Sequence, residues 1–489
     1  MRVLRSDHRL LPDSRRVIAK PYLPGEEGTE PSQSRAGLLV SRVMAISESQ
    51  VSPLLDQVMT DFASRHDDFE ATLERHFDLV AIHLPAGTVL GRERRLLLGA
   101  YFTHEYSVEG AALFNPSIVI GPDQSGLGAG ERRFVMSLRA VGEGHISSIE
   151  FRSGTVDTSS RLTFDPPSAR LVTGSRAPAA GYDKVAFQGK LTELGAGNEL
   201  AWGVLAPLPD LFTLAELEES LARLEKHGPP HAISYETAKI IRVLAASNYV
   251  TTFPTKSAIG ERVLFPAGPN ETRGMEDARF VQFTAPDGTS TYYATYTAYD
   301  GFEILPQLIE TDDFLSFRVS TLMGLAAQNK GMALFPRKIG GRYVMLSRKD
   351  RENLYLATST DVRFWNDASE LDRPRTPWEL LQIGNCGSPL ETSAGWLVLT
   401  HGVGPMRRYA IGALLLDLED PRHVVGRLVQ PLLFPDRSER EGYVPNVVYS
   451  CGGLINRDHL VLPYGFSDSG IGVAVIPLAE LLDQLTASP

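Results

Sequence analysis

Cysteine is almost absent from this chain: 489 residues contain two, Cys386 and Cys451. Two cysteines so far apart exclude a disulfide framework and a cysteine-based zinc knuckle. Reduced thiols in a cytoplasmic protein are the expectation. No run of about eighteen apolar residues exists, which excludes a membrane-spanning helix and a membrane partner of that kind. The opening Met1-Arg2-Val3-Leu4-Arg5-Ser6-Asp7 lacks the apolar stretch of a secretory leader, so none is expected. Positive charge is also short, with 48 Lys and Arg against 59 Asp and Glu for a net charge of -11. Such a balance lacks the electrostatic footprint of a nucleic-acid binder. Any anionic ligand must be met by a local group of cations working against the global charge. Several catalytic signatures are missing as well: the nucleophile elbow, the Walker phosphate loop, the His-Glu-x-x-His zinc helix and the dinucleotide fingerprint. Gly126, Gly128 and Gly130 look like a phosphate loop but lack its Lys-Ser/Thr and following helix, and read as a hairpin turn. No metal and no organic cofactor is implied.

What the chain does contain is material for strands and turns. It has 43 Gly, 32 Pro and 43% hydrophobic residues. Short β-branched or alternating runs recur from Phe77 onward: Leu79–His83, Ser117–Ile120, Arg133–Leu138, Ile146–Phe151, Thr291–Tyr296, Tyr343–Ser347, Leu354–Thr358, Trp396–His401, Ala413–Leu418, Leu460–Tyr464 and Gly472–Ile476. Helical spacing appears twice. Residues 47–78 carry Val51, Leu54, Leu55, Val58, Met59 and Phe62 on one face, with Ser47 and Gln50 resembling a capping box. Residues 213–250 read as two helices, Thr213–Lys226 and Ser234–Asn248, separated by Gly228-Pro229-Pro230. The first 40 residues are polar, with one strand-like piece around Arg16–Ala19. A four-stranded unit of roughly 50 to 70 residues, repeated about five times, would fill residues 100–480 as a β-propeller. Pattern alone leaves a sandwich or two stacked β domains open.

Four stretches carry chemistry-bearing side chains. Arg273–Arg279 places Glu276 and Asp277 between arginines, just before a strand over Phe280–Phe283. In extended backbone the two carboxylates point to opposite sides, so only one can face a cleft. Guanidiniums lower a carboxyl pKa, which suits an ion-pair cluster better than a proton donor. Asn329–Arg348 holds Lys330, Arg337, Lys338, Arg342 and Arg348 around Ala333-Leu334-Phe335-Pro336. Basic residues at both ends of a hairpin can converge on one anion, or form a plain basic surface. Gly384–Tyr409 leads through an apolar strand to His401, in a position where a satisfied core histidine is the ordinary outcome. Phe114-Asn115-Pro116-Ser117 and Arg139 sit at strand ends, where turn chemistry explains them as well as sugar binding does.

Taken in order, these stretches and the tail resemble glycoside hydrolase family 130, the inverting β-mannoside phosphorylases and related hydrolases. The most specific segments are Gly395-Trp396-Leu397, His401-Gly402-Val403, Leu415–Pro421, Gly442-Tyr443-Val444-Pro445-Asn446-Val447-Val448 and Tyr464-Gly465-Phe466-Ser467-Asp468. The resemblance runs from about Phe114 to Ile476, interrupted over 160–260. It implies an all-β fold, a five-bladed β-propeller over 101–480; the helical spacing adds an insertion near 205–250 and an N-terminal helical extension over 1–100, and leaves a short tail over 481–489. It implies Asp277 as the general acid, in a Glu-Asp-Pro-Arg-like stretch that here has Ala278 in place of proline. Asn115, Arg139 and Asp468 match positions that hold the mannosyl unit. Lys330, Arg348, His401 and Tyr409 match the phosphate-binding group, although Lys330 stands where many members have arginine. Gly384-Asn385-Cys386-Gly387-Ser388-Pro389 departs from the usual two-glycine pattern.

The implied reaction is reversible phosphorolysis of a β-mannoside to α-mannose 1-phosphate and a shortened acceptor. One acid suffices, because phosphate is already an anionic nucleophile. The implied partners are an oligosaccharide and inorganic phosphate, with the helical segments shaping the acceptor side or building a homo-oligomer. A hydrolase of the same fold would replace the basic group with carboxylates that activate water. A non-catalytic glycan-binding propeller would not need Asp277.

Overall fold

The computed structural model describes residues 2–25, 34–227 and 232–487. Strands dominate, with helices gathered in three places. The chain divides into two compact units. The larger comprises Met1–Pro12, Ala111–Pro166 and Gly174–Pro489; the smaller comprises Asp13–Gly110 and Pro167–Thr173.

In the larger unit the short runs become antiparallel meanders. The first runs through Ala112–Ile120, Arg132–Val141, Ser147–Val156 and Leu162–Phe164. The second runs through Gly274–Thr284, Ser290–Tyr299, Ile304–Thr311 and Ser316–Thr321, and is extended at its edge by Tyr249–Thr252 and Ser175–Pro178. A single parallel pair, Gly274 with Ser147, links these two into one sheet. The third consists of Ala333–Leu334, Tyr343–Ser347, Leu354–Ser359 and Asp367–Asp372. The fourth consists of Gln382–Asn385, Gly395–Val403, Tyr409–Leu416 and Val424–Arg427. In the fifth, Val448–Tyr449, His459–Phe466 and Gly470–Pro477 are joined by Leu4–Leu10 from the other end of the chain. That last strand reads Leu-Arg-Ser-Asp-His-Arg-Leu and carries no strong β signal; a partner edge recruits it.

Neighbouring meanders bury apolar faces against each other, as layered β structure requires. Phe151 of the first meets Phe280 of the second at 5.9 Å between ring centroids. Phe283 and Leu308 pack with Leu334, Met345 and Trp365 of the third. Phe335, Leu346 and Leu356 pack with Trp396, Val398 and Leu414 of the fourth. Leu399, Ile411 and Leu415 pack with Leu462, Ala474 and Ile476 of the fifth, and the helix Leu478–Thr486 caps that core through Leu481 and Leu485. Strand Gly395–Val403 is buried at every position, so it reads as a continuous apolar run rather than an alternating one.

The insertion holds four helices, Lys184–Glu193, Glu199–Leu205, Leu214–His227 and Ala232–Ala246. Asp183 and Asn198 cap the first two by accepting from the Ala186 and Ala201 amides. Leu217, Leu221, Ile241 and Leu244 close a core with Phe187, Leu191 and Phe212. The two expected helices are present, shifted by one or two residues. The two before them were not expected, because Lys184–Glu193 carries little amphipathic pattern. The Gly228-Pro229-Pro230 turn lies outside the described residues.

In the smaller unit, Val17–Pro21 pairs with Thr103–Ser107 beside helices Arg35–Met44, Glu48–Phe62, Phe69–Val80 and Arg92–Tyr101. The single helix expected over 47–78 is two. Asp68 has φ 44°, a left-handed residue that an α-helix cannot pass through. The expected strand Leu79–His83 is instead the end of the second helix and a 3-10 turn, Ala81–His83. Of its apolar residues Val80 continues the buried face of Leu73 and Phe77, while Leu79 and Ile82 are exposed, so the segment follows helical rather than strand spacing. Among the described residues, no helix is long and apolar enough to cross a membrane.

Candidate active site

The meanders bring the singled-out side chains together in the larger unit, Asn115 and Asp277 from first strands, Arg139 and His401 from second strands, Tyr409 from a third, and Lys330, Arg348 and Asp468 from the connections beside strands. Asn115 is the fourth residue of its strand and has φ 50°, at a bulge where the register shifts between Phe114 and Ser117. Asp277 is likewise fourth in its strand, with φ 57°, at a bulge between Glu276 and Arg279. Ser467 and Asp468 follow strand His459–Phe466 with φ 46° and 48°. Left-handed backbone outside glycine costs of order 1 kcal/mol or more, and asparagine and aspartate tolerate it best.

The conformation of Asp277 overturns one expectation. Glu276 and Asp277 do not point to opposite sides. The bulge turns both carboxylates toward Arg139, whose Nη2 lies 2.7 Å from Glu276 Oε1 and Nη1 3.2 Å from Asp277 Oδ1. Arg139 Nε donates to Ser147 Oγ at 2.9 Å, and the guanidinium lies over the Phe114 ring. Asn115 Nδ2 donates to Asp277 Oδ1 at 2.7 Å. Lys330 Nζ reaches Glu276 Oε2 at 2.6 Å. From beneath, the fully buried Arg279 donates to the Asp277 carbonyl at 2.9 Å and to the Tyr449 hydroxyl at 2.8 Å.

A second group lies beside the first. Arg348 Nη1 donates to His401 Nε2 at 2.8 Å. Arginine has no acceptor, so that bond leaves the His401 proton on Nδ1, which faces the Asn385 carbonyl at 3.3 Å. The His401 ring lies 4.8 Å from the Tyr449 ring and is stacked at 6.2 Å on Tyr409. A Cβ at Gly384 would stand 2.5 Å from His401 Cε1 and 2.9 Å from Arg348 Cδ, so glycine is what lets the pair sit there.

Electrostatics divide the site. Burial raises the Asp277 pKa, but Arg139, Arg279, Lys330 and the Asn115 hydrogen bond outweigh it and bring it to about 2. Burial pushes Asp468 up to about 6, against the opposing pull of Arg139. His401 is held well below its usual range by burial and by Arg348 and Arg279, and is neutral at pH 7. The guanidiniums of Arg139, Arg279 and Arg348 and the ammonium of Lys330 thus face the carboxylates of Glu276, Asp277 and Asp468, a local positive balance in an acidic chain. Asn115 Oδ1, Arg279 Nε, Arg348 Nε and Asn385 Oδ1 are buried and make no hydrogen bond within the protein. Such a concentration of unspent donors and acceptors marks a polar-ligand site.

All eight singled-out residues therefore fall in this region, Tyr409 through its ring and Asp468 through its charge on Arg139 and Asp277. Sequence reasoning passed over Glu276 as a partner, and over Arg279, Asn385 and Tyr449. Arg279 closes the stretch Arg273–Arg279 already singled out, but its role depends on the bulge that turns Asp277, which sets the residue two positions on. Tyr449 had no signal of its own. Arg337 lies apart, paired with Glu391 and stacked over Trp396.

Fold and site together define a mostly β protein with a largely buried carboxylate set among cations and unsatisfied polar atoms. A family model described as beta-1,4-mannooligosaccharide phosphorylase matches residues 250–487. The chain is 36% identical over 227 residues to a 1,2-beta-oligomannan phosphorylase of Thermoanaerobacter sp. (strain X514), covering 44% of this chain and 74% of that one. It is 32% identical over 229 residues to a beta-1,2-mannobiose phosphorylase of Listeria innocua, covering 45% of this chain and 63% of the relative. A solved structure of a beta-1,2-mannobiose phosphorylase from Listeria innocua, in complex with beta-1,2-mannobiose, aligns at a TM-score of 0.45 and 25% identity over 78% of this chain and 94% of that one. The chain belongs to glycoside hydrolase family 130.

Proposed function

We propose that this protein cleaves β-mannosides with inorganic phosphate, with inversion, releasing α-mannose 1-phosphate and a shortened acceptor. The observation that carries the reading is Lys330 and the Arg348–His401 pair standing beside the largely buried carboxylate Asp277, where a hydrolase would need a carboxylate to activate water. Relatives named as β-mannoside phosphorylases support the same reading.

In this reading Asn115, Arg139 and Asp468 hold the terminal mannosyl unit, and Lys330 and Arg348 seat phosphate below its anomeric carbon. His401 is neutral and accepts from Arg348, so its part is to orient that guanidinium; Tyr409 packs on its ring. A phosphate oxygen forms the new bond to C1 while the C1–oxygen bond to the acceptor breaks. Asp277 supplies the proton that the leaving oxygen takes up, directly or through a hydroxyl of the bound sugar. We infer further that the five meanders are blades of a five-bladed β-propeller. Consecutive meanders share cores, the Cys451 amide of the fifth donates to the Pro116 carbonyl of the first at 2.8 Å, and Leu4–Leu10 completes the last sheet. We assign the protein to the cytoplasm, where the buried free thiols of Cys386 and Cys451 stay reduced.

The test is turnover of β-1,2- and β-1,4-mannobiose with and without phosphate. Release of a sugar 1-phosphate that depends on phosphate is expected, and equal rates without phosphate refute the reading. Asp277→Asn lowers turnover by about 10²- to 10⁴-fold, the ordinary worth of a general acid. Lys330→Ala raises the KM for phosphate more than that for sugar. One observation favours a second reading, hydrolysis: the pKa of Asp468, about 6, suits a proton-transfer group beside an ionised Asp277. The phosphate dependence separates the two.

A further inference from the structure

The strands that deliver the active-site residues continue past them and converge again. Asn115 is followed along its strand by Ile120 and Asp277 by Val281, while Leu390 and Leu454 open the short strands that come next after those of Asn385 and Tyr449. The residues farther along line a cavity of about 270 Å³. Strand Arg132–Val141 spans both places, with Arg139 in the site and Arg132 in the cavity wall. Seven residues of strand separate them by about 23 Å.

Tight backbone packing closes the way between. The Phe280 amide donates to Ser117 Oγ at 3.0 Å, and the Cys451 amide to the Pro116 carbonyl at 2.8 Å. A Cβ at Gly387, φ 118°, would stand 2.3 Å from the Cys451 carbonyl oxygen. The cavity is a separate place, not an outlet of the active site.

Its walls are mostly apolar: Ile120, Val281, Pro336, Leu390 and Leu454. Into them is set one cation. Arg132 is half-buried, and among the described residues its guanidinium has no carboxylate partner; its Nη1 makes one long contact, 3.4 Å, to the Ile455 carbonyl. Burial moves its pKa downward. Glu391 also lines the cavity, but Arg337 holds both its oxygens, at 2.8 and 2.9 Å. Ser388 Oγ, in the same wall, is buried and makes no hydrogen bond. A partly desolvated cation without a counter-charge is costly, and a guanidinium fork fits a carboxylate in two bonds.

We propose that this cavity is a second ligand site, taking a small organic monoanion whose carboxylate meets Arg132 and whose apolar body fills the pocket. The volume lies near the small end of ligand pockets, roughly 300–1,000 Å³. An inorganic dianion fits poorly, because its second charge would face apolar wall and the Glu391 carboxylate.

The test is calorimetric titration of the full chain with benzoate, in the presence of saturating phosphate to occupy the catalytic cations. Benzyl alcohol is the uncharged control. Saturable one-to-one binding of benzoate is expected, with benzyl alcohol weaker by roughly tenfold or more, the worth of a hydrogen bond to a charged group. Arg132→Gln weakens benzoate by a similar factor and leaves phosphorolysis without benzoate unchanged. Leu390→Trp, which fills the cavity, abolishes binding and serves should the first variant fail to fold. Lys330→Ala leaves benzoate binding intact. Absence of saturable binding overturns the proposal, as does equal binding of benzyl alcohol, wild-type affinity in both cavity variants, or loss of binding in Lys330→Ala.

Discussion

Asp277 poses a problem that yields a measurable prediction. A carboxyl with pKa about 2 is ionised at pH 7 and has no proton to give. The same cations that hold it there, Arg139, Arg279 and Lys330, include one assigned to phosphate. A dianion seated on Lys330 and Arg348, roughly 6 Å from the carboxylate, repels it by about 2.8 kcal/mol per unit charge at an effective dielectric of about 20. At about 1.36 kcal/mol per unit of pKa, each charge is worth about 2 units. Two charges carry Asp277 from about 2 to about 6. Binding the nucleophile therefore loads the acid. Sulfate is the suitable probe, because it stays dianionic where phosphate itself titrates. At about pH 6 each sulfate bound should draw in about half a proton at Asp277. Calorimetry in buffers of differing ionisation enthalpy reads that number as a slope. Asp468 also titrates near pH 6, so the decisive quantity is the difference between wild type and Asp277→Asn. Identical proton uptake in the two refutes the coupling, and with it the account of how Asp277 becomes an acid.

Asp468→Asn should change how stability depends on pH. Its folded pKa, about 6, lies above the unfolded value near 3.9, so the native state holds the extra proton between them. Wild-type stability from this group is full below about pH 4 and is lost as pH rises through about 6; the variant gains up to about 2–3 kcal/mol above that and nothing below, and parallel urea curves at both ends check it. Gly384→Ala drives a methyl toward His401 Cε1 and Arg348 Cδ, and should raise the KM for phosphate about tenfold while sparing the KM for sugar; an unmoved phosphate KM counts against Arg348 as a phosphate ligand. Tyr449→Phe strips the buried Arg279 of one acceptor and should cost about 1.5–3 kcal/mol in denaturant unfolding, where a loss below about 0.5 would show that the bond is replaced.

The parts of the fold that the sequence made legible are those with a strong local period. Tyr343–Ser347 falls where its short apolar run puts it, and Leu214–His227 where Leu214, Leu217, Leu221 and Leu224 put it. The parts that escaped depend on distant partners or on single backbone angles. Leu4–Leu10 is a strand only because Gly470–Pro477 offers an edge more than 450 residues away in sequence. Phe69–Val80 parts from the helix before it at one residue, Asp68.

The active site combines both kinds. Its residue types were readable, and so was the basic group around the hairpin at Ala333–Leu334. Its geometry was not, because alternation assumes extended backbone at every position, and the site is built where that assumption fails. Asn115, Asp277, Ser467 and Asp468 are all left-handed, and two of them lie at bulges. Without the bulge, Glu276 would face away and Arg139 could pair with only one carboxylate. With it, Arg139 clamps both, Lys330 is tethered through Glu276, and Arg279 comes up beneath the Asp277 carbonyl. The acid and the phosphate cations are thereby held in one charge network. Ala278 lies with Asp277 inside the bulge between Glu276 and Arg279, a place in a strand where the proline of the motif would also be tolerated.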